Sequence, residues 1–378
     1  MNIKKIAFVF FILAIIVTSI FLFNKKETNS NIVSLDQKIG KMLILGFRGM
    51  EVSESSKIIN DINKYNIGGV ILFDYDVPSK TWIRNIETPK QTKALIENIK
   101  KLTKDDLFIA VDAEGGYVNR LKSKYGFAQI ESAQVMGEED SQKTFTKASP
   151  LGMELSYLGF NLNFAPVVDV NINPDNPVIG YLERSFNEDP EKVYEHANYF
   201  IDAMHEYNIM TAIKHFPGHG SSKEDSHLGL VDITETYNKE EELLPYKKLI
   251  EDNKLDMIMT AHVVNKNIDS ENPATLSSIF LQDVLRNELG YNGVIVSDDM
   301  QMGAIVDNFG FEEAIIKAIN SGCDLLILSN NNREYDENIA EKAINVIKNA
   351  VKEKKITEER INESYNRLKE LKQKYGIL

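Results

Sequence analysis

The stretch Lys214-His215-Phe216-Pro217-Gly218-His219-Gly220, followed by Asp225-Ser226-His227, is where groups able to move protons or bind polar ligands crowd together. Four of the chain's six histidines, at 215, 219, 227 and 262, fall between residues 215 and 262. His215 and His219 have the four-residue spacing of two metal ligands on a helix, but Pro217, Gly218 and Gly220 disfavour a helix there, so zinc is the lesser reading. The glycines, with Ser221 and Ser222, instead describe a loop with a polar tip. At that tip Asp225 and His227 are two apart, close enough for the carboxylate to hold one ring nitrogen, fix the tautomer and raise the ring's basicity. The plain alternative is a solvated Asp-x-His with no role. A second acidic pair, Asp298-Asp299, follows the apolar run Val294–Ser297. Asp299 suits the cap of a following helix, whereas Asp298 is placed to attack an electrophilic carbon. Lys214, if buried, needs a carboxylate or a substrate oxygen beside it. Met302 reads as packing.

These residues share one property: each follows a short apolar run of strand character. The runs are Lys41–Leu45, Val70–Phe73, Leu107–Val111, Leu162–Ala165, Met210–Lys214, Met257–Ala261, Val294–Ser297 and Leu325–Ser329. Between them, Lys90–Leu102, Pro190–Glu206, Ser277–Leu289 and Phe311–Ser321 carry apolar residues at three- and four-residue spacing. Eight strand-then-helix units predict an α/β fold with a parallel sheet closed into a (β/α)8 barrel. The competitor is a doubly wound open sheet, but no GxGxxG or GxxxxGK[ST] follows the first run. In a barrel, chemistry sits beyond the C-terminal ends of the strands. Asp112 and Glu114 follow the third run, with Arg120 further on; Asp169, Asn171 and Arg184 follow the fourth. Lys214 and the histidines follow the fifth, His262 the sixth and Asp298 the seventh.

The remaining composition narrows the class. The chain has 378 residues, of which 43% are hydrophobic, enough for a large core, and a formal net charge of −13 argues against a nucleic-acid partner. Its single cysteine, Cys323, forms no intramolecular disulfide and belongs to no zinc-finger spacing. Ile6 to Phe23 is uncharged and flanked by Lys4, Lys5, Lys25 and Lys26. As a helix this run would be about 27 Å long, close to a bilayer's hydrocarbon thickness. It is longer than a typical secretory h-region and lacks an A-x-A-like site, so an uncleaved signal-anchor is favoured over a cleaved signal peptide, and both over a buried core helix. The organisation expected is therefore residues 1–26 as signal-anchor or signal peptide, 27–34 as a polar tether, and 35–378 as one barrel domain. The segment Glu341–Leu378, dense in Lys and Glu, reads as solvated helix on the barrel exterior.

The string from Lys214 to Gly220 with Asp225-Ser226-His227 resembles the signature of family 3 glycoside hydrolases, in their bacterial β-N-acetylglucosaminidase branch. Gly68–Phe73, Asp112–Gly116, Asn163–Val170, Pro273–Ser277 and Ser297–Met300 extend the likeness, in order, across about residues 35 to 330. It implies a (β/α)8 barrel and retaining hydrolysis of a β-linked N-acetylglucosamine from a non-reducing end, without metal or cofactor. It further implies Asp298 as nucleophile, His227 oriented by Asp225 as general acid and then base, and Asp112, Arg120, Arg184, Lys214 and His215 as the residues that bind the sugar. Two departures stand out: Tyr117 occupies a position where members usually have Arg, and Ile179–Phe186 is two residues longer than the usual Ile-Gly-x-Arg-Ser-Phe. The partner expected is an amino-sugar glycan or muropeptide, acted on by a monomer held outside the cytoplasm by its membrane segment or secreted. The rival readings are a β-glucosidase or β-xylosidase of the same fold, a phosphorylase, and a non-catalytic glycan-binding protein.

Overall fold

The eight apolar runs form eight parallel strands. In the computed structural model, which describes residues 33–377 apart from 82, 104–106 and 226–228, they are β1 (Leu43–Gly46), β2 (Gly69–Ile71), β3 (Phe108–Val111), β4 (Leu162–Asn163), β5 (Met210–Phe216), β6 (Met257–Thr260), β7 (Val294–Asp299) and β8 (Leu325–Leu328). Each pairs with its sequence neighbours, and β1 pairs with β8 (Leu43 opposite Leu326) to close the barrel. The open-sheet alternative is thereby eliminated. Strands β1, β2, β3, β6 and β8 are buried at every position, as expected of sheet covered by helices outside and filled by side chains within.

The crossovers are helical: α1 (Lys57–Tyr65), α2 (Pro89–Leu102), α3 (Gln142–Leu158), α4 (Pro190–Glu206), α5 (Leu244–Glu251), α6 (Ile279–Glu288), α7 (Phe311–Ser321) and α8 (Ile339–Lys352). Local signals set the starts of α2 and α4. Thr88 and Asp189 accept hydrogen bonds from the backbone N–H of Gln91 and Glu191, and a proline occupies the first helical position of each, where its missing N–H costs nothing. α6 is wound as a π-helix, a difference in winding that the apolar spacing of Ser277–Leu289 does not reveal. The segment from Glu341 onward, expected as solvated helix, is α8 followed by α9 (Glu358–Lys374), and both bury an apolar stripe.

Residues Asp36–Leu378 form one compact unit. The expected spanning run Ile6–Phe23 and most of the tether lie outside the described residues. Among the described residues no helix is long and apolar enough to cross a membrane.

At two strand ends the ladder breaks register, between Ile213 and Phe216 where β5 meets β6, and between Val296 and Asp299 where β7 meets β8. Such irregularities re-aim side chains, and these two lie at the strand ends that carry Lys214, His215 and Asp298.

Candidate active site

Beyond the C-terminal ends of the strands the loops enclose a cleft of about 340 Å³. Asp112, Arg120, Arg184, Lys214, His215 and Asp298, separated by up to 186 positions in sequence, all line it. Asp225 is half-buried in the loop beyond Ser222 and does not line the cleft, and His227 lies outside the described residues.

The floor is a continuous ion network. Lys214, almost fully buried, places Nζ 2.9 Å from Asp112 Oδ1 and 2.7 Å from Glu114 Oε1. Arg184 grips the same Glu114 with both prongs of its fork, Nε to Oε2 and Nη2 to Oε1, each at 2.8 Å. Nη1 of Arg184 donates to the Val178 carbonyl. Burial pushes the Glu114 carboxyl up, but Arg184 and Lys214 outweigh it and hold it well below the ordinary glutamate range. Burial likewise opposes charge on Lys214, and Asp112 and Glu114 overcome it, so the ammonium is held above its usual value. The demand that a buried Lys214 have a carboxylate is thus met twice.

His215 joins this network to the loop after β4. Its Nε2 is 3.2 Å from Arg184 Nη2, which can only donate, so Nε2 accepts and the ring proton sits on Nδ1, 2.6 Å from Asp169 Oδ2. The other oxygen of Asp169 accepts the backbone N–H groups of His215 and His219. Asp169 is inaccessible to solvent; burial raises its carboxyl, and His215 and the backbone donors bring it below the usual range. His219 Nδ1 is 2.7 Å from Ser222 Oγ, and burial lowers this ring to about 4 despite Asp169, so it is neutral at physiological pH. The segment from Pro217 to Gly220 is a turn, as its glycines require. A Cβ at Gly220 would lie 1.7 Å from the Val170 carbonyl oxygen.

Asp298 is half-buried at the end of β7, its Oδ1 accepting the backbone N–H of Asp299 at 2.7 Å. Asp299 turns the other way. It accepts from the backbone N–H and hydroxyl of Ser329, the amide of Asn332 and the N–H of Gln301, which joins the ends of β7 and β8. Burial pushes its carboxyl up to about 6 against those donors. His262 completes the support, donating or accepting at Thr275 through Nδ1 and donating from Nε2 to the Asp299 carbonyl at 3.0 Å. Met302 is buried and forms part of the wall.

Arg120 lies over the Phe73 ring, with Nη1 4.0 Å from Asp74 Oδ1, and its Nε has no hydrogen-bond partner among the described residues. It holds donor capacity that a ligand oxygen could take. The two extra residues before Arg184 do not displace it from the cleft. In the lengthened segment Tyr181 is 77% exposed and Leu182 lines the cleft, while Glu183, at φ 55°, is fastened by Ser132 Oγ, which donates to its carboxylate at 2.7 Å.

The arrangement matches known proteins along its whole barrel. The profile described as glycosyl hydrolase family 3 N terminal domain matches residues 34–371. The chain belongs to glycosyl hydrolase family 3. It is 37% identical over 294 residues to a beta-hexosaminidase of Tolumonas auensis, covering 76% of this chain and 83% of that protein. Against beta-hexosaminidase A of Pseudoalteromonas piscicida it is 33% identical over 375 residues, covering 90% of this chain but 61% of the other. Among solved structures, a family 3 beta-N-acetylglucosaminidase from Paenibacillus sp. superposes with a TM-score of 0.82 at 33% identity, covering 91% of this chain and 63% of that one. The beta-N-acetylhexosaminidase of Beutenbergia cavernae superposes with a TM-score of 0.78 at 28% identity, covering 90% and 98%. Within this family 3 barrel, Glu114 and Asp169 are the site residues to which sequence reasoning gave no role. A signal existed for both: two buried cations, Lys214 and Arg184, demand more negative charge than Asp112 supplies, and a buried histidine needs a partner for Nδ1.

Proposed function

We propose that this chain is a retaining β-N-acetylhexosaminidase that releases non-reducing terminal N-acetylglucosamine through a covalent glycosyl-enzyme intermediate. The observation that carries this reading is the convergence of Asp298 with the Asp112–Lys214–Glu114–Arg184–His215 network in one cleft, whose size, at the lower end of ordinary ligand pockets, suits a single sugar ring. Asp298 attacks the anomeric carbon: a carbon–oxygen bond to the carboxylate forms as the glycosidic bond breaks, and the departing oxygen takes a proton from His227. His227 then removes a proton from water, which attacks the same carbon from the other side and frees Asp298. Asp225 orients that histidine. Asp112, Lys214, Arg120, Arg184 and His215 bind the hydroxyls and the acetamide, their geometry set before the substrate arrives.

Peptidoglycan fragments are the proposed natural substrate, reached outside the cytoplasm by a barrel held through Ile6–Phe23. The name of the relatives supports the hexosaminidase activity, and the family 3 membership supports the chemistry. A fluorinated N-acetylglucosaminyl donor should label Asp298, identified by mass spectrometry of the labelled peptide, and the first-formed sugar should keep the β configuration by NMR. A label elsewhere, or an α product, would overturn the mechanism. Release of N-acetylglucosamine from purified muropeptides, compared with an aryl glucoside lacking the acetamide, tests the substrate.

A further inference from the structure

Behind the Gly218–Ser222 turn lies a carboxyl group with no part in the chemistry above. Glu242 is 1% exposed. Its Oε1 accepts the Ser221 hydroxyl at 2.7 Å and the Asn238 backbone N–H at 3.4 Å, while Oε2 is buried and has no hydrogen-bond partner among the described residues. The turn rests directly on it. Gly218 has φ 134°, and a Cβ there would come within 2.5 Å of Glu242 Oε2, so only glycine lets the backbone seat against this carboxyl. No cation among the described residues pairs with it. Burial raises this carboxyl and Asp169 raises it further, and Tyr237 and Tyr246, whose own hydroxyls its charge would oppose ionising, are buried there without hydroxyl partners among the described residues. A carboxylate in that setting would be an uncompensated buried anion, whereas the protonated acid is tolerated.

From this carboxyl a chain of contacts runs to the cleft. Ser221 is followed by Ser222, whose hydroxyl is 2.7 Å from His219 Nδ1 and 2.9 Å from Asn176 Nδ2. The His219 backbone N–H donates to Asp169, and Asp169 holds Nδ1 of His215. We propose that Glu242, kept as the neutral acid, is a positioning residue for the active site: it anchors the turn and thereby sets Asp169 and His215. The consequence is a built-in alkaline limit. Burial pushes the Glu242 carboxyl up to about 8, so above that pH the anchor becomes a buried anion repelled by Asp169, and its shift toward solvent carries the Ser221-bonded turn with it.

The proposal rests on the hexosaminidase reading, and the wild-type protein assayed alongside separates the two: absence of turnover in wild type refutes that reading, whereas the anchor is judged by variants and by NMR. Kinetics of Glu242→Gln and Glu242→Leu on an aryl N-acetylglucosaminide from pH 5 to 9 supply the main test. With an aryl leaving group that needs no proton from His227, the glutamine variant should stay within about threefold of wild type at pH 6.5 and lack the decline expected of wild type near pH 8. The leucine variant should lose at least tenfold in kcat/KM at every pH. Should it fail to fold, Ser221→Ala keeps Glu242 and removes the link; it should lower kcat/KM about threefold or more while remaining folded by circular dichroism. Imidazole nitrogen shifts of His215 and His219, recorded with and without turnover in wild type, should move together near pH 8 and stay fixed in Glu242→Gln. The proposal falls if, on that activated substrate, Glu242→Gln declines near pH 8 as wild type does, if the folded leucine or Ser221→Ala variant matches wild type, or if the histidine shifts titrate identically in Glu242→Gln.

Discussion

Both ends of this barrel are built around buried carboxylates, with opposite outcomes. At the N-terminal end of the strands, Asp324 receives the Ile295 N–H, Arg286, Arg360, Arg367 and the Ser364 hydroxyl, and Asp256 receives the Thr211 N–H, His205, Lys374 and the Tyr375 hydroxyl. Those contacts come from strand ends, from α4 and α6, and from α9 with Tyr375 just after it, so they sew three helices to the barrel. At the C-terminal end, Asp112, Glu114 and Asp298 are arranged around open space, and Arg120 Nε has no hydrogen-bond partner among the described residues. A buried ion network alone therefore does not mark a functional site. What marks it is a network whose donors and acceptors converge on room for something else.

The largest way to break this comparison is at Asp298. Asp298→Ala should lower kcat by roughly 10⁴-fold or more, the scale expected if it is the nucleophile proposed above, while the melting temperature stays close to that of wild type. A residue of the closed end should do the reverse. Asp324→Ala strands three arginines near one another and should cost about 3–5 kcal/mol of stability in urea unfolding, with kcat per folded molecule unchanged. Glu114 sharpens the contrast, because it belongs to the open end but is buried nearly as deeply as Asp324. Glu114→Gln should show both signatures, a loss of about 2–4 kcal/mol and a raised KM, since Arg184 and Lys214 lose the charge that sets their position. Normal stability with an intact KM in that variant would show that the floor does not depend on Glu114.

The barrel was legible because its signal is redundant. Eight apolar runs at strand length, each followed by helical spacing, leave little freedom, and the helix bounds at Pro190–Glu206 and Phe311–Ser321 follow from Pro, Asp and Gly at the ends. That Asp112, Arg120, Arg184, Lys214, His215 and Asp298 come together was legible by position, since strand ends in a barrel face one cleft. Their partners were not. Nothing in the spacing of Glu114 and Arg184 says that the side chains meet, and nothing near Lys239–Glu242 says that its last carboxyl lies under a glycine 24 positions earlier. Pairings of this kind depend on where loops return, which periodicity does not encode. The π-winding of α6 was hidden for a related reason, because apolar spacing reports the buried face of a helix and not its hydrogen-bond register.

The smallest expected effect separates the two ends by pH. Asp324 and Asp256 are held below the usual aspartate value: burial opposes this, and the arginines around Asp324 and the His205 and Lys374 contacts of Asp256 overcome it. Their folded forms bind fewer protons than the unfolded chain, so their contribution is complete above about pH 4 and is lost as pH falls through the folded values. Asp299, at the open end, has the opposite sign. Burial raises it to about 6, the folded state binds the extra proton, and stability declines as pH rises from about 4 to 6 and then levels off. Urea midpoints measured from pH 3 to 7 for wild type, Asp324→Asn and Asp299→Asn test this. Asp324→Asn should flatten the acid limb below pH 4, and Asp299→Asn should remove a decline confined to pH 4–6 while keeping the Ser329 backbone N–H satisfied through its amide oxygen. Equal pH dependence in the two variants would erase the distinction between the closed and the open end.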